Sequence, residues 1–495
     1  MKNLIKLTFF AGLLMITHQG CDSILSGTEP STAISQEVAL NSPEAVRGLR
    51  ARMYGRLHAA PDMSTTWLLG PSALADNTDI GSGTRFESLN NNERRAGLGT
   101  GAWNNLYDLI NDANTLIEGI PDGVITEANR TKFMGEAYFM RALALHHLVR
   151  IFGYEPGMAP TQGEAANFDL GVIIRTQPTL TLSDVGEEPR STVTQVYDQI
   201  LDDIDSALTA LNQESDSGPF YVTPAAAYAL LARVQLYQRN YAEADAAAQD
   251  AIDNSGARLA TTAEVAGLFD ETQTNPEAIF TVDVDPTTES GGVNNSLAVY
   301  TSMYWFGQIP TDDLINLYEA GDARLDAWYA PCFNDVNDSP ENICSNVNAD
   351  NLELHKYAAE QGSYADDYVH FRFSEMLLIQ AEARLDTDGI PQAINRLNDL
   401  RAERNASTLL AINYTTEEEV LDEILDERRR ELSAEGHRFF DLKRLGRDLR
   451  KVDFDQGTGT TTVSFLPYES YVYLDDIPDS EVQLNPNLVQ NPFFD

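Results

Sequence analysis

The amino-acid sequence predicts a mainly α-helical protein with irregular loops and a few short strands. Apolar residues recur at helical spacing through much of the 495-residue chain, as Leu106, Ile110, Ala113 and Ile117 do. Two other segments have the pattern of two helices joined by a tight turn. Alternation of apolar and polar residues, which is typical of strands, is found in short runs such as 278–285. We therefore expect a helical scaffold that positions the loops.

Both predicted helix pairs have small residues where their helices would cross. The first pair, 223–254, turns at 239–240 and carries Ala229 and Ala248 on its facing sides. The second pair, 371–403, turns within 386–389. Small side chains let two helices pack closely, and this arrangement is tetratricopeptide-like. Because the two pairs lie far apart in the sequence and do not repeat in tandem, we do not expect a simple solenoid.

The N-terminus has the features of an export signal. Lys2 and Lys6 precede a short apolar run, 7–16, and Gly20-Cys21 follows it. This pattern predicts a signal peptide over residues 1–20, lipidation of Cys21 and a lipid-anchored tether over 21–40, ahead of a domain over 41–495. His18 and Gln19 are unusual for a lipoprotein processing site. The alternative is an exported protein whose Cys21 thiol is unpaired.

The other two cysteines flank an acidic loop that is rich in turn-forming residues. Cys332 and Cys344 are expected to form a disulfide, because an exported protein matures in an oxidising compartment. Bound calcium is a competing interpretation of the acidic loop. The EF-hand pattern fails, however, since Pro340 stands where Gly is required and Asn346 where Glu is required. We predict a solvated loop, no metal site and no cofactor.

The charge balance limits the classes of partner. The chain has 34 Lys and Arg residues against 76 Asp and Glu residues, a formal net charge of −42. Such a surface repels polyanions, which argues against DNA, RNA and anionic lipid head groups as partners. It is compatible with a highly soluble exported surface or with a saline habitat.

The segment 417–451 begins with acidic residues and ends with basic ones, in contrast to the acidic character of the chain as a whole. Its apolar residues follow a helical rhythm, which predicts an amphipathic helix packed on a core. We interpret Arg428, Arg429 and Arg438 as a structural network that pairs with carboxylates of neighbouring helices, since guanidinium groups bind carboxylates in a bidentate manner. An anion-binding or nucleic-acid site is the alternative interpretation of these arginines.

Four stretches, in this order, resemble the SusD/RagB family of outer-membrane lipoproteins: AYFMRALALHHLVRIFG (137–153), RFSEMLLIQAEA (372–383), DERRRELSAEGHRFFDLKRLG (426–446) and IPDSEVQLNPNLVQNP (477–492). The resemblance implies a helical scaffold with tetratricopeptide-like pairs whose loops bind a nutrient. It also implies a SusC-like TonB-dependent outer-membrane transporter as partner, over which the lipoprotein closes as a lid facing the cell exterior. The domain would divide at about residue 330 into N-terminal and C-terminal parts that pack as one unit.

The ligand site has to be argued from chemistry, because the shared stretches are structural. Sugars are bound by aromatic platforms together with side chains that hydrogen-bond hydroxyl groups. Two loops, 67–86 and 290–305, have this composition. The predicted ligand-binding residues are Trp67, Asp76, Asn77, Arg85, Tyr300, Tyr304 and Trp305. Core or rim packing is the alternative for Trp67, Tyr304 and Trp305, and we assign Trp103 and Trp328 to packing.

The expected function is therefore nutrient binding for uptake, with a glycan or oligosaccharide as the ligand. Peptides or other nutrients are alternative ligands for the same architecture. A glycan-degrading enzyme is the alternative class, but the sequence has no G-x-S-x-G, H-E-x-x-H or phosphate-loop motif. With 76 acidic residues, a carboxylate pair at hydrolase spacing is expected by chance.

Overall fold

A computed structural model describes residues 40–59, 64–79, 85–95, 97–99, 101–180, 184–270, 272–287, 296–303, 308–331, 350, 352–357, 365–407, 414–455 and 460–494. The mainly α-helical fold predicted from the sequence is confirmed. Cys21, Cys332, Cys344, Tyr304 and Trp305 lie outside the described residues, as do the signal peptide and nearly all of the tether. Lipidation, the disulfide and the roles of the two aromatic residues therefore stay predictions, as does the division near residue 330.

Six helices form the N-terminal part: α1 (Pro43–Ala59), α2 (Thr65–Leu74), α3 (Glu87–Asn90), α4 (Ala102–Glu118), α5 (Glu127–Phe152) and α6 (Val193–Leu211). Side-chain oxygens cap the first turns of α1, α5 and α6; at α1 the Oγ of Ser42 accepts from the amide of Ala45 at 3.1 Å. Thr192 and Gln195 form a capping box at the start of α6. α5 packs against both α4 and α6, and its C-terminal half is buried all round. It is the central helix of this part.

The two predicted helix pairs are confirmed, and they pack against each other. The first pair is α7 (Pro224–Tyr237) with α8 (Tyr241–Ser255). Two short helices follow, α9 (Asp312–Ile315) and α10 (Ala323–Trp328), and then the second pair, α11 (Phe373–Thr387) with α12 (Ile390–Ala402). α8 contacts α11 extensively. Pairs that are distant in sequence thus stack side by side in the fold.

The strands form two-stranded antiparallel ladders. β1 (Thr78–Asp79) pairs with β3 (Ile309–Pro310), and β2 (Ala278–Val282) pairs with β6 (Tyr368–Arg372). β4 (Tyr329–Pro331) pairs with β5 (Leu352–Leu354), and β7 (Leu449–Asp455) pairs with β8 (Thr460–Leu466). The strand predicted at 278–285 corresponds to β2. Each ladder joins segments from the loop-rich regions, so the ladders hold the connections between helices in place.

The arginine-rich segment is not one continuous helix, and this corrects the prediction for 417–451. It forms α13 (Glu417–Glu431), α14 (Arg438–Arg444) and then β7. Between the helices, Ala434 and Gly436 adopt positive φ angles of 59° and 82°. A Cβ on Gly436 would lie 2.7 Å from the carbonyl oxygen of Trp67, so only glycine fits this close approach. The tight turn breaks the helical rhythm that the apolar residues suggested.

The C-terminal region ends in a short helix, α15 (Asp479–Leu484), followed by a segment that returns to the N-terminal helices. Arg190 ties this return, because its guanidinium donates to the carbonyl of Val489 at 3.0 Å and to the side chain of Asn491 at 2.8 Å. No helix within the described ranges combines the length and apolar character that crossing a membrane requires.

Candidate ligand site and its supporting ion pairs

The two loops that the sequence singled out meet around Tyr300. This residue lies in a single π-helical turn, Val299–Met303, at the end of a short helix that begins after Ser296. The Oγ of Ser296 accepts from the amide of Val299 at 3.1 Å. The carbonyl of Tyr300 accepts from the amide of Gln308, at 3.0 Å, close to the start of β3. Tyr300 is therefore held in a fixed backbone frame.

Arg85 and Phe86 pack against Tyr300. The rings of Phe86 and Tyr300 are 5.3 Å apart and meet edge to face. The guanidinium of Arg85 lies 5.9 Å from the centre of the Tyr300 ring and 5.7 Å from that of Phe86. Its Nη2 donates to the Oγ1 of Thr66 at 2.8 Å. Both rings are largely buried, so neither offers an open aromatic face to a ligand.

Trp67 does not belong to this site, which corrects the sequence-based assignment. Its indole is 4% exposed and stacks on His147, with ring centres 3.2 Å apart and planes within 1°. His370 approaches edge-on at 5.4 Å. Burial, together with the charge of Arg150, holds the pKa of His147 well below its ordinary value, so the stacked imidazole is neutral. Trp67 is a core residue, because its nearly inaccessible ring is already packed against His147 and His370.

Asp76 and Asn77 are engaged by the arginines that were assigned a structural role. The carboxylate of Asp76 accepts two hydrogen bonds from Arg438, both at 2.7 Å. Arg429 donates to the Oδ1 of Asn77 at 2.9 Å. Burial would raise the pKa of the Asp76 carboxyl, but the two guanidinium groups hold it well below its ordinary value. These side chains fix α13 and α14 to the end of α2, and their hydrogen-bonding capacity is used inside the protein.

Arg428 has a separate partner within the same segment. Its Nε donates to the carboxylate of Asp441 in α14 at 2.8 Å, and both side chains are buried. Asp441 also accepts from Arg444 at 3.0 Å, and Arg444 forms a bidentate pair with Glu382 in α11. The arginines of this segment thus connect α13, α14 and the second helix pair.

A larger ion-pair cluster, which the sequence did not reveal, surrounds α13. At its centre the carboxylate of Glu431 contacts Arg372 at 2.7 Å, Arg404 at 2.8 Å and Arg324 at 2.9 Å. The other members of this central cluster are Glu277, Asp322, Lys356, Arg401, Glu427, Arg430 and Glu435. Burial would raise the pKa of Glu431, but Arg404 and Arg372 hold it well below its ordinary value. The cluster joins β6, α10, α12 and α13.

Surface clefts elsewhere on the described chain do not involve the predicted ligand residues. One is lined by Phe220, Phe269, Asp270, Thr281 and Asp367 among others. Another lies against the C-terminal return near Arg95 and Phe494. In the ranges the structure describes, no group of three or more His, Cys, Asp or Glu residues is arranged to hold a metal ion.

Two protein-family models match the chain. A family model described as "SusD family" matches residues 276–494. A second model, described as "Starch-binding associating with outer membrane", matches residues 29–236. The chain belongs to the SusD/RagB family. The two matches together include all four stretches that resemble the family.

Individual members of the SusD family resemble the chain over most of its length. A SusD-like protein of Formosa agariphila, P38, is 26% identical over 489 residues, which cover 90% of this chain and 92% of that protein. The crystal structure of a SusD superfamily protein of Bacteroides thetaiotaomicron has a TM-score of 0.75, is 25% identical and covers 91% of this chain and 100% of that chain. A SusD-like carbohydrate binding protein of Bacteroides vulgatus, 22% identical with a TM-score of 0.74 over 90% of this chain and 97% of that chain, supports the fold.

The pairing of Arg438 with Asp76 leads to a stability prediction for this SusD-family scaffold. Arg438→Ala should lower the free energy of unfolding by about 2 kcal/mol, because it leaves the largely buried Asp76 carboxylate without its bidentate partner. Urea denaturation followed by circular dichroism measures the change. A more exposed arginine of the same region, Arg447, whose side chain is 33% exposed, supplies a control, and Arg447→Ala should change stability by at most about 0.5 kcal/mol. Equal losses in the two variants would contradict the structural role of Arg438.

Proposed function

We propose that the protein is a cell-surface lipoprotein that binds a nutrient, in particular a glycan or oligosaccharide, and acts as the lid of a SusC-like TonB-dependent transporter. Family membership is the observation that carries this proposal. The family description matched to residues 29–236 names starch binding and association with the outer membrane. The structural neighbour from Bacteroides vulgatus is described as a carbohydrate binding protein. Binding without turnover is the activity that this family assignment favours.

We place the ligand beside Arg85 and Tyr300, and Tyr304 and Trp305 stay candidates on their sequence alone. Arg85 is half-buried, and its Nη2 donates to Thr66; a guanidinium group with several N–H donors suits the oxygen atoms of hydroxyl groups. The edge-to-face pair of Phe86 and Tyr300 gives the guanidinium a rigid support. Rigid support lowers the entropy lost when a ligand binds, which is how a small number of contacts can hold a flexible oligosaccharide.

The experiment that tests this function is a titration of the purified protein, without residues 1–20, against soluble oligosaccharides of starch, laminarin and xylan. Saturable binding with no change in the oligosaccharide is expected. Release of shorter products would favour a glycan-degrading enzyme. Binding of peptides in place of oligosaccharides would favour the alternative ligand class. Absence of binding to every glycan would contradict the glycan part of the proposal.

Trp305 is the residue at which the ligand site is most directly tested. Trp305→Ala should weaken ligand binding by roughly 2 kcal/mol or more while stability changes little, because a ring that stacks on a ligand contributes mainly to binding. Isothermal titration calorimetry and thermal melting of the same sample measure the two quantities. A variant that melts early and binds with wild-type affinity would show that Trp305 is a packing residue and that the ligand lies elsewhere.

Anchoring and partnership are tested through Cys21. If this residue carries lipid, Cys21→Ser should move the protein from the membrane fraction to the soluble fraction, because a transferred acyl chain supplies the membrane affinity. Cell fractionation followed by immunoblotting measures the distribution. A large outer-membrane barrel protein should co-purify with the wild type from detergent extracts. A wild type found in the soluble fraction, with the Cys21→Ser variant distributed in the same way, would contradict the anchor.

A further inference from the structure

Two adjacent acidic residues, Asp366 and Asp367, lie immediately before β6 and face the segments on either side of the proposed ligand site. Asp366 is 1% exposed and Asp367 is half-buried. Among the described residues, neither forms an ion pair with an arginine or lysine, whereas Asp76 and Glu431 do. A buried carboxyl outside the ion-pair clusters needs another explanation, because burial of an ionised group is unfavourable.

Asp366 holds the start of the short helix that carries Tyr300. Its Oδ2 accepts from the amide of Leu297 at 2.8 Å, and its Oδ1 accepts from the amide of Ala298 at 3.3 Å. The hydroxyl of Ser296 also hydrogen-bonds this carboxyl. Both oxygens are thus committed to the first turn of the helix that ends in the π-helical turn of Tyr300. The position of Tyr300 relative to Arg85 depends on this turn.

Asp367 holds the other side of the same region. Its Oδ1 accepts from the amide of Val284, directly after β2, at 3.0 Å. Val284 and Leu297 are the described residues at which the chain leaves β2 and enters the Tyr300 helix. The two neighbouring carboxyls therefore fix both segments to the start of β6, and a change in either carboxyl would alter the frame of the ligand site.

We propose that Asp366 and Asp367 form a proton-sensitive clamp that positions Tyr300 for ligand binding. This role rests on the proposed function, because it assigns Asp366 and Asp367 as positioning residues of the ligand site around Arg85 and Tyr300. A carboxylate accepts hydrogen bonds through both oxygens, whereas a protonated carboxyl has one oxygen that acts mainly as a donor. Protonation of Asp366 therefore removes one of its two helix contacts and weakens the clamp on the first turn of the Tyr300 helix.

The local electrostatics place this proton uptake near neutral pH. Burial raises the pKa of Asp366 to about 6. Burial, with the charges of Asp283 and Asp366, raises the pKa of Asp367 to about 7. The phenol of Tyr368 is also titratable and lies beside these carboxyls, as Asp283 lies beside Asp367; the pKa of Tyr368 is raised by burial and by the charge of Asp366. Tyr368 stays protonated throughout the range in which the two carboxyls titrate.

The clamp has a signature that a merely structural role would not have. A carboxyl whose pKa is raised in the folded state stabilises the fold progressively as the pH falls from the folded pKa toward the unfolded value of 3.8. Ligand affinity, in contrast, should fall over the same interval, because the helix contacts are lost. Affinity and the stability contributed by this pair thus change in opposite directions between about pH 7.5 and pH 5.5.

Hydrogen exchange and ligand titration together test the clamp. In wild-type protein and in Asp366→Asn, mass spectrometry follows amide exchange of the peptide containing 296–303 at one pH, about 7.5, so that intrinsic rates are equal. Faster exchange is expected in the variant. Maltoheptaose, laminarihexaose and xylohexaose serve as the ligand probes, and the variant should bind its probe about tenfold more weakly, with a melting temperature equal to or above that of the wild type. Asp253→Asn, an exposed change of the same kind in α8, should alter neither quantity.

Each outcome decides part of the proposal. Unchanged exchange of 296–303 in Asp366→Asn would overturn the clamp. Faster exchange with unchanged affinity would overturn the positioning role, and a parallel loss of affinity and melting temperature would show general destabilisation. If Asp366→Asn does not fold, the wild type between about pH 7.5 and 5.5, after correction for intrinsic exchange, gives the same comparison. A wild type that binds none of the probes would contradict the proposed glycan function, while the exchange result would still decide the clamp.

Discussion

Replacing Glu431 by glutamine should lower the free energy of unfolding by about 3–5 kcal/mol, the range typical of breaking a buried ion pair. Glu431 is fully buried and contacts Arg324, Arg372 and Arg404 within 3.0 Å. The substitution keeps the shape of the side chain, but it removes one negative charge and turns an amide donor toward guanidinium donors. Urea denaturation of the wild type and of Glu431→Gln measures the difference.

The pH dependence of this loss has a definite sign. The pKa of Glu431 is held well below its ordinary value of 4.5, so its contribution to stability is fully present above pH 4.5 and decreases as the pH falls further. The difference between wild type and variant should therefore be constant near neutral pH and shrink below 4.5. Glu418→Gln, an exposed change in the same helix, is the matched control and should alter stability by at most about 0.5 kcal/mol. A loss in Glu431→Gln no larger than in this control would contradict the central cluster's role.

The members of the central cluster could be predicted from the sequence only in part. Arg428, Arg429 and Arg438 attracted attention because they are concentrated in one basic segment. Glu427 and Glu431 stand one helical turn apart on the buried face of α13. Their position also indicates an ion-pair cluster, because buried acids require cations. Their partners could not be identified from the sequence, because the arginines come from segments that only the fold brings together.

The helical scaffold was predictable because its signals are local. Small residues at crossing positions and a turn between two apolar patterns define each helix pair without information from the rest of the chain, as for Ala229 in α7 and Ala248 in α8. The break at Gly436 was not predictable in the same way. The residue has to be glycine because the backbone of Trp67, nearly 370 positions away, passes beside it.

The proposed ligand site stays a prediction, and only part of its surroundings could be read from the sequence. Composition singled out the two loops, and in the structure Arg85 of one lies beside Tyr300 of the other. Composition could not separate polar groups that are available to a ligand from those used within the protein. Asp76 and Asn77 satisfy arginines of α13 and α14, while Asp366, which holds the Tyr300 helix, lay in a segment that carried no compositional signal.

Trp67→Ala should lower the free energy of unfolding by about 3–5 kcal/mol, as expected when a large aromatic side chain is removed from a core. The indole is 4% exposed and lies between the rings of His147 and His370, so its loss leaves a cavity and removes the stacking contact. The protein that remains folded should bind ligand with wild-type affinity, because the Trp67 ring packs against His147 and His370 and is not part of the proposed site at Arg85 and Tyr300. Urea denaturation and calorimetric titration, performed under conditions in which the variant is folded, measure the two quantities.

Trp67→Phe keeps a ring in the same place and should lose less stability than Trp67→Ala. The expected loss for Trp67→Phe is about 1.5 kcal/mol. Trp305→Ala is the opposite case, since it should weaken binding and leave stability nearly unchanged. The four numbers for Trp67→Ala and Trp305→Ala thus form a crossed pattern that neither a general loss of stability nor a general loss of binding can produce. If Trp67→Ala melted like the wild type and bound ligand weakly, the stacked ring would be a ligand platform after all, and the core assignment drawn from its contact with His147 would be wrong.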